Sequence, residues 1–545
     1  MNQFFMHKKQ DVVNHAIEGA LLSTPWHNLS LLEAGTGIRV VTRRDWDKSR
    51  VALISGGGSG HEPAHVGFVG EGMLTAAVCG DIFASPSVDA VLTAILSVSG
   101  EAGCLLIVKN YTGDRLNFGL AAERAKQLGH QVAMVMVKDD IALPDNPQPR
   151  GIAGTALVHK VAGYAAAQGK SLAEVAALAQ RAADSVVSIG VAFSTCHLPG
   201  EARDERVQAG HCEVGMGIHG EPGVTTLQTQ DSVAIVKRLT DQLMQSASGT
   251  RQALLVNNLG GFSVLEMGLL TREVLHTPLG ENITHLIGPA TLVSALDMKG
   301  FSLSVMALDA ELEAALLSPV QVAGWQPAHA LTSLHTAPAT LPEASAGVTP
   351  SENPATARWV TTITQTLVDL ERTLNDLDAR VGDGDTGTTF AAGAQAIQAA
   401  LHNQQLPLDE PAALLRVVGE KLATVMGGSS GVLMSILFTA AGQRLQAGDT
   451  LPQALVAGLE QMQYYGGAKP GDRTMIDALD PAFHALARGE TLQEAARAAQ
   501  QGAQATASMN AAKAGRSAYL SEGNLQGVCD PGAYAIAQVF AVLAR

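Results

Sequence analysis

The segment Val51-Ala-Leu-Ile-Ser-Gly-Gly-Gly-Ser-Gly-His-Glu-Pro63 joins a short apolar run to a glycine-rich loop. An apolar run of this length is typical of a buried strand, and the glycines let the backbone approach a ligand closely. Similar β-rich runs follow at 104–108, 132–137, 253–256 and 301–305 and alternate with helical stretches. From about residue 38 to 306 the sequence therefore predicts α/β layering, and a change of texture near residue 190 predicts two subdomains.

The composition changes beyond residue 318. Residues 319–356 are rich in Ala, Thr, Ser and Pro and contain few large apolar residues, which is typical of a linker. Apolar residues then recur at steps of three and four and form a stripe on one helical face: Trp359, Ile363, Leu367, Leu370, Leu374 and Leu377. We therefore predict a multidomain chain, with a two-part α/β domain over 1–318, a linker over 319–356 and an all-α domain over 357–545.

The composition indicates a globular, acidic protein. The 545 residues are 46% hydrophobic and 16% charged, which excludes global disorder. The net charge of −15 has the wrong sign for binding nucleic acid or anionic lipid. An acidic protein that handles phosphorylated substrates needs metal cations or backbone amides to offset the charge.

The cysteines and the N-terminus indicate a cytoplasmic protein. The five cysteines are scattered without C-x-x-C pairs, as expected in a reducing compartment. No hydrophobic signal core follows Met1, and the longest apolar run is too short to span a bilayer.

Two strand ends in the first domain present reactive side chains. The glycine loop contains Gly56, Gly57, Gly58 and Ser59 and is followed by His61; a plain tight turn is the alternative interpretation. The run at 105–108 ends in Lys109-Asn-Tyr-Thr-Gly-Asp114, at the sheet edge where α/β proteins bind ligands. Asp114 is a candidate general base, or alternatively an N-cap of the next helix.

A third candidate is His219, in the segment His211-Cys-Glu-Val-Gly-Met-Gly-Ile-His-Gly-Glu-Pro-Gly223. A histidine between a short strand and a Gly/Pro-rich turn can face a pocket, although a purely structural histidine remains an alternative. Adjacent Cys196-His197 and His211-Cys212 do not match the common spacings of structural zinc ligands.

The segment Asp378-Ala-Arg-Val-Gly-Asp383-Gly-Asp385 ends the first helix of the second domain. Three carboxylates separated by glycines can converge on hard cations such as Mg²⁺. The segment is not an EF-hand, because position 12 counted from Asp383 is Ala394. A solvated acidic turn is the alternative.

Three further loops in the second domain are suited to nucleotide binding. They are 427–431 before an apolar helix, 469–475, and 530–532 at the start of the last helix. Backbone N–H groups at a helix N-terminus favour phosphate oxygens. Each loop alone is also consistent with a simple helix cap.

Five motifs together resemble the ATP-dependent dihydroxyacetone (glycerone) kinases that have both kinase domains on one chain. The motifs are S-G-G-G-S-G-H-E-P-A-H, V-K-N-Y-T-G-D-R-L-N-F-G, G-I-H-G-E-P-G, V-G-D-G-D-T-G-T-T and K-P-G-D-R-T-M, in that order. The resemblance implies a substrate domain of two α/β parts and an eight-helix, barrel-like nucleotide domain that binds ATP with two Mg²⁺ ions. It also implies a homodimer, in which a nucleotide domain serves the other subunit's substrate site.

The resemblance further implies residue roles. His219 would bind the ketone carbon covalently as a hemiaminal, Asp114 would be the general base, and His61 would assist in proton handling. Gly56, Gly57, Gly58, Ser59 and Lys109 would surround the substrate hydroxyls, and Asp378, Asp383 and Asp385 would bind magnesium. The implied nucleotide-site residues are Thr386, Gly387, Thr388, Thr389, Ser429, Ser430, Arg473, Thr474, Met475, Asp530, Pro531 and Gly532. Cys529 departs from the proline that is frequent before Asp-Pro-Gly in this family.

Three alternatives remain open. The same nucleotide site in some family members is a lyase that converts FAD to a cyclic flavin phosphate. A binding subunit of a phosphotransferase system, or a transcriptional co-regulator, is built from the same domains. Related kinases act on short-chain ketoses such as erythrulose, or on glyceraldehyde.

Overall fold

The computed structural model describes residues 4–35, 37–144, 146–202, 206–229, 231–340, 348–509, 511–513 and 525–545. The chain divides into two compact units, Met1–His335 and Thr336–Arg545. The first unit is α/β and the second is helical, so the predicted fold class is confirmed.

The first sheet has the strand order β1-β2-β4-β3-β5-β6. Strands β4, β3, β5 and β6 are parallel, whereas β1 and β2 join antiparallel at one edge. Both central strands, β3 and β5, are buried along their whole length, as expected for a sheet covered on both faces. The strands are β1 Leu29–Leu31, β2 Val40–Arg43, β3 Ala52–Ser59, β4 Ala76–Ile82, β5 Cys104–Lys109 and β6 Val132–Val137.

The second sheet has the order β13-β11-β10-β12-β7-β8-β9 and is mixed, because β10 and β11 are parallel while the other pairs are antiparallel. Its first strand in the sequence starts at Val186, close to the subdomain boundary predicted near residue 190. The strands are β7 Val186–Ala192, β8 His211–Val214, β9 Thr225–Gln228, β10 Gln252–Asn258, β11 Ile283–Ala290, β12 Gly300–Ala307 and β13 His329–Ala330.

Helices cover both sheets of the first unit. Leu53 and Leu105 pack with α4 and α5 in one core cluster, while Ile54 and Leu106 pack with α2 and α3 in another. The alternation places successive side chains of β3 and β5 on opposite faces. The helices are α1 Val12–Ser23, α2 Val88–Val98, α3 Thr112–Gln127, α4 Thr155–Ala167, α5 Leu172–Ser185, α6 Ser232–Ser246, α7 Val264–Leu275 and α8 Ala310–Leu317, with short 3₁₀ turns at Lys9–Asp11, Val66–Phe68 and Pro278–Asn282.

The first part of the predicted linker belongs to the first unit. The prediction placed a linker over 319–356, but Val322 and Trp325 are buried and β13 pairs with β11. Few large apolar residues are enough to hold this segment on the core, which is why its composition alone suggested a linker. Residues 341–347 lie outside the described residues.

The second unit is built from helices. The predicted stripe from Trp359 to Leu377 lies on two helices rather than one, with the break at Leu370. The helices are α9 Pro354–Asp369, α10 Glu371–Asp378, α11 Thr386–His402, α12 Pro411–Val425, α13 Gly428–Gln446, α14 Leu451–Gly466, α15 Ile476–Ala487, α16 Leu492–Thr506 and α17 Pro531–Leu543. In the described residues, no helix has the length and apolar character needed to cross a membrane.

Candidate functional site

Gly56, Gly57 and Gly58, which the sequence predicted in a loop, lie within strand β3, which ends at Ser59. A Cβ atom added to Gly57 would lie 3.0 Å from Lys109 Nζ and 3.6 Å from Asp114 Oδ2. Both groups therefore face the space above Gly57, which the missing side chain leaves open. The alternative of a plain tight turn does not explain this convergence of an amine and a carboxylate.

Lys109 and Asp114 are both buried, with 1% and 5% of their surfaces exposed. Burial lowers the pKa of Lys109, while the charges of Asp114 and Asp139 raise it. Asp114 lies in the first turn of α3, but Tyr111 occupies the N-cap position. The alternative role of Asp114 as an N-cap is therefore wrong.

His219 lies in the turn between β8 and β9, and Glu221 fixes its orientation. The His219 backbone N–H donates to Glu221 Oε2 at 3.1 Å, and its ring Nδ1 lies 3.2 Å from Glu221 Oε1. Burial raises the pKa of Glu221, but the hydrogen bond and charge of His219 outweigh burial and bring it to about 2. An ionised carboxylate only accepts hydrogen bonds, so Nδ1 carries a proton, and the neutral form of the ring has its lone pair on Nε2.

Three rings surround the imidazole of His219. The centroid distances are 4.7 Å to Tyr111, 4.8 Å to His61 and 5.3 Å to Phe83, all with edge-to-face geometry. Phe83 has a φ of 58°, a conformation that non-glycine residues adopt rarely and mostly at functional sites. The side chain of His219 is 21% exposed, so the ring remains accessible from one side.

His61 is fully buried next to His219. Its Nδ1 lies 2.8 Å from the carbonyl oxygen of Ser294 and must therefore donate. Burial lowers the pKa of His61 well below its ordinary value, and the charges of Lys109 and His219 lower it further. The ring is therefore neutral, and its Nε2 lone pair has no hydrogen-bond partner among the described residues. Such a group can accept a hydrogen bond from a hydroxyl group of a bound ligand.

In the second unit, the three predicted aspartates come together. Asp378, Asp383 and Asp385 each offer an oxygen within 4.8 Å of the others. Asp378 ends α10 and is buried, and its Oδ2 accepts the backbone N–H groups of Gly384, Asp385 and Thr386, each at 3.1 Å. Convergent carboxylates are the hard oxygen ligands that Mg²⁺ prefers, so this donor set fits magnesium.

A buried arginine lies near the same loop. Arg473 is 1% exposed and donates through Nη2 to the Val528 carbonyl at 2.7 Å, but its Nε and Nη1 have no partner among the described residues. Its φ of 63° is also unusual for a non-glycine residue. Burial raises the pKa of Asp530 to about 6, with Arg473 opposing this and Asp378 adding to it. Two unpartnered buried donors are a site for an anion.

The other predicted nucleotide residues lie at helix starts. The first residues of α11 are Thr386, Gly387, Thr388 and Thr389. The hydroxyl of Thr388 accepts a hydrogen bond from the side-chain amide of Asn375, and the Thr388 N–H donates to the amide oxygen. Asp530 caps α17 by accepting the Ala533 N–H at 2.8 Å, followed by Pro531 and Gly532.

Thr474 and Met475 immediately precede α15, and a Cβ atom added to Gly532 would lie 3.1 Å from that of Met475. Ser429 and Ser430 lie in the first turn of α13, where Ser429 is exposed and Ser430 is half-buried.

The zinc alternative finds no support in the described part of the chain. Cys212 is fully buried in the hydrophobic core of the second sheet, and the only group of metal-binding side chains among the described residues is the aspartate trio.

Sequence reasoning missed several residues of the first site. Tyr111 and Glu221 lie inside two of the quoted motifs, so the motifs were available as a guide although neither residue was given a role. His65 ends the first quoted motif and was likewise given no role, whereas Phe83 and His159 are not part of a recognisable pattern, and only the folded structure places them at the site.

The comparisons with known proteins agree with the motifs. The Dak1 domain model matches residues 25–324, and the DAK2 domain model matches residues 380–545. A dihydroxyacetone kinase of Citrobacter freundii is 56% identical over 551 residues, which is 100% of this chain and 99% of the relative. A triokinase/FMN cyclase of Rattus norvegicus is 41% identical over 566 residues, covering 96% of this chain and 95% of the relative.

A solved structure is similar to this chain over its whole length. The crystal structure of the C. freundii dihydroxyacetone kinase in complex with AMP-PNP and Mg²⁺ superposes with a TM-score of 0.86 at 54% identity, covering 100% of this chain and 99% of that one. This chain therefore belongs to the dihydroxyacetone kinase family, with a Dak1 domain followed by a DAK2 domain on one polypeptide.

Proposed function

We propose that this protein transfers the terminal phosphoryl group of ATP to dihydroxyacetone, which it holds covalently on His219. The observation that carries the proposal is the 3.2 Å distance between His219 Nδ1 and Glu221 Oε1, because a proton donated there leaves the Nε2 lone pair as a nucleophile. The 56% identity to the dihydroxyacetone kinase of C. freundii supports the choice of substrate.

Covalent binding follows from simple carbonyl chemistry. His219 Nε2 adds to the ketone carbon, the C=O π electrons move to oxygen, and the imidazole transiently becomes an imidazolium beside Glu221. Loss of the Nδ1 proton and protonation of the oxygen complete a neutral hemiaminal. Glycerol has no carbonyl carbon to attack, so this step selects ketones over the corresponding alcohol.

The phosphoryl transfer requires mainly positioning and a base. Asp114 faces the space above Gly57 and would accept the proton of the reacting hydroxyl. Gly56, Gly58 and Ser59 would line the same space, and Lys109 would donate to a substrate oxygen.

In the nucleotide domain, Asp378, Asp383 and Asp385 would hold two Mg²⁺ ions. Bound magnesium neutralises phosphate charge. The protein itself, with a net charge of −15, offers little positive charge for this purpose. Arg473, with two unpartnered buried donor atoms, is the protein cation best placed to bind a phosphate oxygen. The remaining proposed nucleotide contacts are Thr386, Gly387, Thr388, Thr389, Ser429, Ser430, Thr474, Met475, Asp530, Pro531 and Gly532.

The experiment is a kinase assay with purified protein, ATP, Mg²⁺ and dihydroxyacetone, with product detected by coupled reduction of dihydroxyacetone phosphate. Glycerol, erythrulose and glyceraldehyde serve as parallel substrates, for which release of ADP is measured instead. The hemiaminal is tested by ¹³C NMR with dihydroxyacetone labelled at C2, because the carbonyl resonance of the bound fraction should disappear in the parent and persist in His219→Ala. Activity without this loss of the carbonyl resonance would contradict the covalent step alone.

A second candidate activity is the conversion of FAD to cyclic FMN. The 41% identity to the rat triokinase/FMN cyclase favours it. Incubation of the protein with FAD and Mn²⁺ and chromatography of the flavin products would test this activity. A binding subunit or co-regulator would need a separate phosphoryl donor, so phosphorylation with ATP as the sole donor would exclude that alternative.

The proposed assembly is a cytoplasmic homodimer in which the two domains of different subunits cooperate. All five cysteines are free thiols in the structure, which is compatible with a reducing compartment. Mixing Asp114→Asn with Asp383→Asn subunits, each expected to be inactive alone, tests the cooperation, because activity should reappear only if an intact nucleotide domain serves the partner's substrate site.

A further inference from the structure

A buried chain of three basic side chains lies behind the glycine loop. Lys109 ends β5, His65 follows the loop, and His159 lies in α4; they are 1%, 4% and 0% exposed. Lys109 Nζ is 2.7 Å from His65 Nε2, and His65 Nδ1 is 3.0 Å from His159 Nε2. This hydrogen-bonded chain of side chains starts at the Lys109 amine, which faces Gly57, and leads away from the space above Gly57.

The donors and acceptors of this chain fix two tautomers. An ammonium group has three donors and no acceptor, so His65 Nε2 must accept the proton of Lys109. His65 then carries its own proton on Nδ1 and donates it to His159 Nε2. The Nδ1 of His159 is buried without a partner among the described residues, so the chain ends there.

The surrounding charges agree with an ammonium at one end and neutral rings behind it. The groups that face the chain are Asp114 on α3, Asp139 after β6 and His61 in the glycine loop. Burial, followed by the charge of Lys109, lowers the pKa of His65 well below its ordinary value and that of His159 to about 3. The two imidazoles therefore remain neutral at physiological pH.

We propose that His65 is a positioning residue for Lys109, and that His159 supports it by holding the required tautomer. One ammonium proton is bound by His65, which orients the other two toward the space above Gly57, where the oxygens of the substrate would lie. This inference rests on the proposed kinase function and adds two residues to it that do not touch the substrate.

The test compares two substitutions at one position. His65→Leu removes the acceptor at similar volume, whereas His65→Gln places a carbonyl oxygen near the position of Nε2. We expect His65→Leu to raise the KM for dihydroxyacetone about 10- to 100-fold with a smaller change in kcat, because a hydrogen bond to a charged group is lost. His65→Gln should restore most of the affinity.

The pH profile separates positioning from a purely structural role. A buried ammonium with one partner fewer loses its proton more easily, so the alkaline limb of kcat/KM should move to lower pH in His65→Leu and return in His65→Gln. His285→Leu is the matched control, because His285 is 5% exposed in β11 on the other sheet. It should lower the melting temperature without moving the pH profile.

A measurement on the parent protein does not depend on turnover. The ¹⁵N resonances of histidine-labelled full-length protein, assigned with His65→Gln, should show the proton of His65 on Nδ1. A proton on Nε2 would overturn the inference even if His65→Leu fails to fold, and so would an unchanged KM and pH profile in a folded His65→Leu. Absence of any kinase activity in the parent would instead refute the proposed function, while the NMR result would still decide the direction of the chain.

Discussion

The substitution Glu221→Gln tests how the protein makes His219 a nucleophile. Glu221 accepts two hydrogen bonds from this residue, from the backbone N–H at 3.1 Å and from Nδ1–H at 3.2 Å. Glutamine has the same shape but only one acceptor oxygen, so its NH₂ group must face one of the two donors. If it faces the ring, the imidazole is driven to the tautomer with its proton on Nε2, where the lone pair is needed.

The magnitude follows from the bond that is lost. A hydrogen bond to an ionised group contributes about 1.5–3 kcal/mol, and about 1.4 kcal/mol corresponds to a factor of ten. We therefore expect kcat/KM for dihydroxyacetone to fall about 10- to 150-fold, with the KM for ATP unchanged. The pKa of Glu221 near 2 means that the carboxylate is present throughout the neutral range, so the loss should not vary with pH there.

The assay is steady-state kinetics with dihydroxyacetone and ATP varied separately. Glu213→Gln is the matched control, because Glu213 accepts the Gly223 N–H in the same turn without contacting the ring of His219. It should lower stability but leave most of the activity. Parent-like kcat/KM in Glu221→Gln, or equal losses in both variants, would refute the reasoning.

Three further predictions concern other parts of the molecule. His219→Ala should lose discrimination between dihydroxyacetone and glycerol far more than maximal rate, measured as the ratio of kcat/KM values; equal losses of selectivity and turnover would count against covalent selection. Asp383→Asn should lose nearly all turnover at limiting Mg²⁺ with little change in melting temperature, and a parent rate there would remove Asp383 from the metal site. Burial raises the pKa of Asp139 to about 6, so the folded state keeps a proton that the unfolded chain releases from about pH 4. As pH rises from about 4 to about 6, the free energy of unfolding of the parent should fall by up to about 3 kcal/mol relative to Asp139→Asn. The measurement is urea titration followed by tryptophan fluorescence, with both proteins in a Trp359→Phe background. A difference in free energy that stays constant with pH would contradict the raised pKa.

The sequence predicted the fold wherever burial is continuous. The apolar run at 104–108 became β5 almost without change, because a strand covered on both faces needs apolar residues at every position. The run at 132–137 became the edge strand β6, which is only partly buried. It failed between 319 and 330, where Val322 and Trp325 are separated by small and polar residues. Two buried side chains are enough to fix such a segment but too few to produce a periodic pattern.

The candidate site was predictable only in part. Glycines, His219 and the aspartates lie in motifs whose residue types indicate chemistry directly. Phe83 and His159 are ordinary core residue types, and their importance comes from contacts with residues far away in the sequence, such as the 5.3 Å approach of Phe83 to His219. No local pattern reports such contacts, so the surroundings of a reactive group must be taken from the fold. The roles assigned to the site residues remain predictions.

The three hydrogen bonds that end on Asp378 Oδ2 also have a kinetic consequence. They fasten the turn between α10 and α11 from within, so its shape does not depend on an arriving cation. Because this turn is already ordered, little of the free energy of binding is lost to ordering the chain when a cation binds. Nucleotide exchange beside this turn should therefore need no folding step. The dissociation rate of the product nucleotide should be set by the nucleotide's own contacts.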